Sequence, residues 1–477
     1  MFKRTLIYAV SLALFCAVFA GCQVNPVTGK KEFSLVSQDQ EIAMGDAYHP
    51  DIVFMYDGEY QDAELKQYLG SIVMRLNDVS HRSEMPVDFT VLNTSMINAF
   101  AIPGHVYATR GFLAELDNEG QFAAVMGHEL AHVSCGHSAK GMTRQMVTSA
   151  GLGVLATMMD DDSATSQAVI MGSQFSIVLM GFSYSRQHEH QADRVGTYYM
   201  ALAGWDPQES ISMQKLLGSF HEGKPSFLDK YLSTHPAMED RILDINKVIY
   251  EKDLANAGLI QGDGVYQARW KGRMANLHES SKAFDEYDKA TEFLSKEDLP
   301  NALKAVDIAI KMDPSRAPFY RLKGDILTAQ KLYNQAENAY KLALQRDPRY
   351  VPANTGLGEV ALQRDRYAQA ETQFAIASHG NPGGMMPLYG LGLSRYYQDK
   401  YKEAIEPLTA VAQANTKAGS VHYLLGNACY KTGQWQAAHY AYAQAVAAGV
   451  KDEQLAVAQT RVAELAAKLA PPEPAKK

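Results

Sequence analysis

The last third of this 477-residue chain repeats itself every 34 residues, and few sequence features restrict a fold as tightly. Gly324, Gly358, Gly392 and Gly426 stand 34 apart, as do Tyr333, Tyr367, Tyr401 and Trp435, and Ala336, Ala370, Ala404 and Ala438. Tyr340, Phe374, Leu408 and Tyr442 keep the same step, and so do Ala343, Ala377, Val411 and Ala445. Pro314, Pro348 and Pro382 close successive units. Ala290, Leu299, Ala302, Val306 and Ala309 extend the pattern backwards as a degenerate first copy, so five copies fit between 283 and 452. Small residues let two helices approach closely, aromatic residues fill the gap between neighbouring units, and proline stops the second helix of each pair. The pattern predicts stacked antiparallel helix pairs, a capping helix over 453–470 and a disordered tail over 471–477. Of the chain's 26 tyrosines, Tyr333, Tyr340, Tyr367, Tyr401 and Tyr442 stand in these columns, as packing residues.

In spacing and columns this region resembles the tetratricopeptide repeat, which implies an all-α solenoid whose concave face takes a protein partner. The alternative, an array that merely props up the rest of the chain, stays open. The length leaves room for one or two further domains. A hydrophobic fraction of 47% with 21% charged residues is ordinary for a globular protein, and argues against disorder or a polytopic membrane protein. The formal net charge of -8 argues against nucleic acid as a partner.

The N-terminus reads as an address. Lys3 and Arg4 precede an almost wholly apolar run from Leu6 to Ala20, followed by Phe19-Ala20-Gly21-Cys22. Residues 1–21 have the layout of a signal peptide and are too short for a comfortable membrane span. The small residues before the cysteine resemble a bacterial lipobox, which implies lipidation of Cys22 as the first mature residue. Gln23 after it favours the outer membrane. A plain secretory signal is the alternative. Only Cys135 and Cys429 then remain as thiols, in different expected domains, and no disulfide is expected.

The chemistry sits between address and repeats. His128-Glu129-Leu130-Ala131-His132 puts two histidines four apart, one helical turn, so both imidazoles can reach one Zn²⁺. Glu129 lies about 100° round the helix and is free to act on water as a base. Asn118 and Gln121 have the spacing of a capping box, which predicts a helix from about 119 to 138. A catalytic zinc needs a third protein ligand and an open position. Glu189 and Asp193, four apart in Tyr184-Ser185-Arg186-Gln187-His188-Glu189-His190-Gln191-Ala192-Asp193, offer a ligand and a carboxylate to hold the free ring N–H of a ligating histidine. Taken alone, that stretch reads as a solvated helix face.

H-E-x-x-H followed by S-R-x-x-E-x-x-A-D is similar to the M48 family of zinc metallopeptidases. Asn98-Ala99-Phe100-Ala101-Ile102-Pro103-Gly104 and Ser233-Thr234-His235-Pro236 with Glu239-Asp240-Arg241-Ile242 also resemble segments of that family, and Asn25-Pro26-Val27-Thr28-Gly29 resembles the start of its lipoprotein members. The resemblance covers residues 25–250. It implies zinc held by His128, His132 and Glu189, Glu129 as catalytic base, and a regulatory His235. His235 has three readings: a fourth ligand in a closed state, an oxyanion stabiliser, or a helix cap. The family often has Gly-Gly after its proline, whereas this chain has Gly104-His105; His105 either alters substrate contacts or points to solvent.

Ala99 to Ile102 reads as an edge strand, and Asn98, Ala99, Phe100 and Ala101 are expected to pair with an extended substrate. His137, five after His132, is expected to point elsewhere on the helix, into the core or solvent, and His188 and His190 to face solvent. Residues 142–182 read as an active-site lid that touches lipid, or as a buried helical hairpin. The expected fold is an α-rich α+β zincin-type domain with a small sheet over 22–250, linker helices over 251–282, and the all-α solenoid. The expected function is a lipid-anchored periplasmic metalloendopeptidase. It would degrade unfolded or misassembled envelope proteins, with the repeats recruiting substrate or the outer-membrane barrel-assembly machinery. The rival is a chaperone or adaptor whose repeats dominate, with proteolysis secondary or latched off by His235.

Overall fold

The structure is a computed structural model, and it describes residues 22–141, 143, 184–219, 235, 239–254 and 256–470. The signal segment 1–21, the lid segment apart from Thr143, the neighbours of His235 and the tail 471–477 lie outside the described residues. Among the described residues the chain forms two compact units. One runs up to His49 and from Glu59 to Phe284; the other comprises Pro50–Gly58 and Asp285 onward.

The first unit opens on a hairpin of β1 (Cys22–Val24) and β2 (Lys31–Phe33). Its turn is the Asn25-to-Gly29 stretch. Asn25 Oδ1 accepts from the N–H of Val27 at 2.9 Å and of Thr28 at 3.1 Å, and Gly29 takes a φ of 67° that its missing Cβ permits. Helix α1 (Gln38–Met55) follows. Helix α2 (Ala63–Asp78) starts where Asp62 accepts from Leu65 N, and buries Leu65, Leu69, Ile72, Val73 and Leu76 along one face. Three strands then form a mixed sheet: β3 (Asp88–Leu92), β4 (Ala99–Ile102) and β5 (His105–Thr109). The order is β3-β5-β4, with β3 parallel and β4 antiparallel to the central β5. β4 is thus an edge strand, and it packs against the helix that carries His128 and His132. After α3 (Arg110–Glu115) come that helix, α4 (Glu119–Ser134), then α5 (Arg186–Leu202), α6 (Glu209–Ser219), α7 (Glu239–Glu251), α8 (Gln267–Arg273) and α9 (Ala275–Ser295). A small sheet among many helices is the expected α-rich α+β unit.

The elements of the second unit are helices among the described residues. α10 (Leu299–Met312) precedes the pairs α11 (Ala317–Ala329) with α12 (Tyr333–Arg346), α13 (Val351–Leu362) with α14 (Tyr367–Gly380), α15 (Met385–Tyr396) with α16 (Tyr401–Ala414), and α17 (Gly419–Lys431) with α18 (Trp435–Ala447). Helix α19 (Asp452–Leu469) ends the array. The glycine and aromatic columns explain one another. A Cβ on Gly324 would lie 2.5 Å from the ring of Tyr340, one on Gly358 2.8 Å from Phe374, and one on Gly426 2.8 Å from Tyr442. Each bulky residue of a second helix thus fills a notch in the first helix of its own repeat. Tyr340 and Phe374 also fill notches at Gly356 and Gly390 of the next repeat, 2.4 Å and 2.3 Å from a Cβ there. Burying such a ring contributes about 1.5–3 kcal/mol. A further column was not read from the sequence. Glu297, Lys331, Asp365, Asp399 and Gly433, again 34 apart, all sit at positive φ in the turn between paired helices. A left-handed residue ends a helix abruptly, and four of these five are not glycine.

Candidate metal centre

Asn118 caps α4, its Oδ1 accepting from Gln121 N at 2.8 Å, while Gln121 Oε1 accepts from Asp117 N at 2.8 Å. The start of the helix matches the expectation, but its end does not. The helix stops at Ser134, because Gly136 adopts a φ of 66° and turns the chain. Helix α5 crosses α4 where glycine meets glycine: a Cβ on Gly196 would lie 2.6 Å from His128 N, and one on Gly127 2.9 Å from Gly196 O. This close crossing sets Glu189 and Asp193 of α5 against His128 and His132 of α4.

The donor atoms converge. His132 Nε2 lies 3.0 Å from His128 Nε2 and 3.4 Å from Glu189 Oε1. His128 Nε2 lies 3.6 Å from Glu189 Oε2 and 3.4 Å from His235 Nδ1, and His235 Nδ1 lies 3.1 Å from Glu189 Oε1. Two donors bound about 2.05 Å from a tetrahedral centre stand roughly 3.3 Å apart, so these four side chains fit a zinc ion. All four are buried. The buried Oε1 of Glu129, on the next face of α4, has no hydrogen-bond partner among the described residues and lies 3.8 Å from His235 Nε2. Such an orphaned acceptor suits a site that takes water.

Behind the donors, Asp193 Oδ1 lies 2.9 Å from His128 Nδ1. Arg241 clamps Asp193 with Nε and Nη2, at 2.6 Å and 2.7 Å, and reaches Glu189 Oε2 with Nη1 at 3.1 Å. The electrostatics follow. Burial by itself would raise the Glu189 carboxyl, but His235, His128 and His132 outweigh it and hold Glu189 well below the usual carboxylate range. Burial would also raise Asp193, and Arg241 overrides it. Glu129 goes the other way: burial lifts its carboxyl above the usual value, against the pull of His235 and His128. Burial depresses His132, whereas in His128 the contacts to Asp193 and Glu189 outweigh burial and carry it up to about 10. The centre therefore draws positive charge to where two carboxylates converge, and a divalent cation would compete for that place.

Peptidase family M48 matches residues 63–249, and tetratricopeptide repeats match 287–351, 327–383 and 389–453. This chain carries a peptidase family M48 domain. The M48 match encloses the donors, and the class is that of a zinc metalloendopeptidase. The chain is 28% identical to the beta-barrel assembly-enhancing protease of Escherichia coli (strain K12) over 369 residues, which cover 71% of this chain and 73% of that one. It is 31% identical to the protein of the same name from Yersinia pestis over 230 residues, 46% of each chain. It is 26% identical to the mitochondrial metalloendopeptidase OMA1 of Homo sapiens over 247 residues, 48% of this chain and 46% of that one.

Within the M48 domain, the histidines set aside by the sequence reading correct it. His137 does not point elsewhere. The turn at Gly136 folds it back, and its Nδ1 lies 2.9 Å from His132 Nδ1. Its ring stacks on that of His188 with centroids 4.2 Å apart, so His188 is half-buried instead of facing solvent. His190 lies 3.3 Å from Asp240 and 3.4 Å from Asp244. Tyr184 lays its ring over His132 at 3.9 Å between centroids. Cys135 and Cys429 are free and buried. Arg241 and the Gly127–Gly196 crossing were not assigned roles from sequence, although all three stand in or beside the quoted motifs. Of the expected edge strand, Ala99 to Ala101 lie in β4 and Asn98 immediately precedes it, bonded to Thr109 through its backbone N–H at 3.0 Å.

Proposed function

We propose that this chain is a periplasmic zinc endopeptidase, held at the outer membrane by lipid on Cys22. It cleaves unfolded or misassembled envelope proteins, and its repeats recruit those proteins or the barrel-assembly machinery. The observation that carries the proteolytic reading is the convergence of His128, His132 and Glu189 beside the orphaned Glu129 oxygen. Similarity to proteases named for enhancing β-barrel assembly supports the envelope substrates.

In this reading His128, His132 and Glu189 hold one zinc ion, and Asp193, itself gripped by Arg241, orients His128. Bound zinc supplies Lewis acidity to a water and to the scissile carbonyl. Glu129, its carboxyl raised by burial, takes the proton of the attacking water and passes it to the leaving amine. Asn98 to Ala101 offer an edge to which an extended substrate adds as a strand, which favours unfolded chains over folded ones. His235 is a fourth donor in a closed state, since four protein ligands would leave a zinc ion no open position.

Metal analysis with digestion of casein or an unfolded porin tests this. The purified chain is expected to hold about one catalytic zinc, to lose cleavage on chelation and to regain it with zinc. Full cleavage by the metal-free chain would sink the reading. His235→Ala is expected to cleave several-fold faster, and an unchanged rate counts against the latch. The position of His235 among the donors also favours an adaptor with its protease held shut. A His128→Ala chain that rescues barrel assembly as well as the wild type would decide for that adaptor.

A further inference from the structure

His105, where the sequence departs from its family, has no part in the catalytic reading. It opens β5 and lies across the parallel ladder from Asp88, the first residue of β3, so both side chains leave the same face of the sheet. His49 of α1 lies over it, the two imidazoles stacked with centroids 4.4 Å apart. One donor atom from each of His49, Asp88 and His105 lies within 4.8 Å of the others. Each imidazole has one nitrogen anchored on an oxygen: His49 Nδ1 is 2.9 Å from Tyr107 Oη, and His105 Nε2 is 2.9 Å from Asp46 Oδ1. The other nitrogen of His105, Nδ1, is buried without a hydrogen-bond partner, on a side chain only 11% exposed. A ligating histidine whose second nitrogen rests on an oxygen is the usual arrangement around a bound metal.

We propose that His49, Asp88 and His105 bind a second divalent transition-metal ion, zinc or nickel in class, distinct from the catalytic centre. Two imidazoles and a carboxylate are the donor set these ions prefer, and the exposed position of Asp88 lets water complete the coordination. Lys66, a cation whose charge acts on His49, is paired with Glu59 at 2.8 Å. Stacked rings aim their lone pairs side by side, so binding turns them about χ2, a broad, low-barrier torsion. The ion braces a seam that is already tight. A Cβ on Gly45 of α1 would lie 1.9 Å from the carbonyl of Pro103, in the turn joining β4 to β5. Through the pairing of Ile102 with His105 the brace reaches the end of the edge strand.

The full chain carrying His128→Ala and His132→Ala, dialysed against Zn²⁺, should retain about one ion. His105→Ala in that background should abolish retention, and Asp46→Asn should weaken it about 10–100-fold. The wild-type chain guards against a folding failure of the double variant: it should bind two ions, and its His105→Ala variant one. A wild type that binds a single ion, with stoichiometry unchanged in His105→Ala, would overturn the proposal.

Discussion

Each unit sets an arginine between two carboxylates, and what surrounds the trio differs. In the M48 domain, Arg241 grips Asp193 and Glu189, and oxygens of the same two carboxylates also face the imidazoles of His128, His132 and His235. In the repeat unit, Arg321 lies 2.8 Å from Asp57 and 2.5 Å from Asp325. There the oxygens are capped by hydroxyls: Tyr350 donates to Asp57 at 2.5 Å, Tyr287 also donates to Asp57, and Tyr340 donates to Asp325 at 2.7 Å. Burial holds all three phenols protonated, far above their usual titration range. Neutral hydroxyls close a charge cluster into a structural joint, whereas imidazoles whose ring nitrogens converge leave a place for a cation. The same trio of charges thus closes a packing joint in one unit and stands beside the proposed metal centre in the other.

The largest effect separating the two comes from removing each arginine. Arg241→Ala leaves Asp193 and Glu189 buried and uncompensated, which should cost about 3–5 kcal/mol in denaturant unfolding and lower the zinc content. Arg321→Ala should destabilise on the order of 3 kcal/mol while zinc content stays at the wild-type value. Loss of zinc in both variants would break the distinction. Glycine notches come next. Gly324→Ala drives a methyl into the Tyr340 ring and should cost about 1–3 kcal/mol without changing cleavage. Gly196→Ala, pressed on the backbone of His128, should cost a similar amount and reduce cleavage as well.

A smaller effect is a pH dependence confined to the repeats. Burial, with Asp325 adding to it, pushes Glu359 up to about 7 from the ordinary 4.5. The native state then keeps a proton that the unfolded chain has released, so stability falls as pH rises from about 4.5 to about 7. Glu359→Gln should raise stability by about 1–2 kcal/mol at pH 8 and leave it unchanged at pH 4, read from unfolding midpoints at both values. The smallest effect is at the left-handed turns. Lys331→Gly should stabilise by a few tenths of a kcal/mol up to about 1, because relief of the αL strain is partly offset by the entropy of glycine.

The two units were legible in the sequence to different depths. The repeats announce themselves because one packing solution recurs, so the Gly324–Tyr340 notch leaves its trace in two columns at once. Their turn column stayed hidden because Glu297, Lys331, Asp365 and Asp399 share a backbone conformation and not a residue type. In the M48 domain, His128, His132 and Glu129 could be read because four-residue spacing is local helix geometry. Arg241 could not, because its grip on Asp193 spans 48 residues of sequence and obeys no period. His137 was misread for one identifiable reason: extrapolating the helix through Gly136 placed it on the wrong side, and a single left-handed glycine returned it to His132.

Glu129 is proposed to perform the proton transfer at a zinc ion held by His128, His132 and Glu189. Cleavage of an unfolded porin by zinc-loaded wild type and Glu129→Gln, with zinc measured in the same samples, tests it most directly. Equal zinc content is expected, with a rate lower by about 10²–10⁴-fold in the variant. Equal rates at equal zinc content would contradict it.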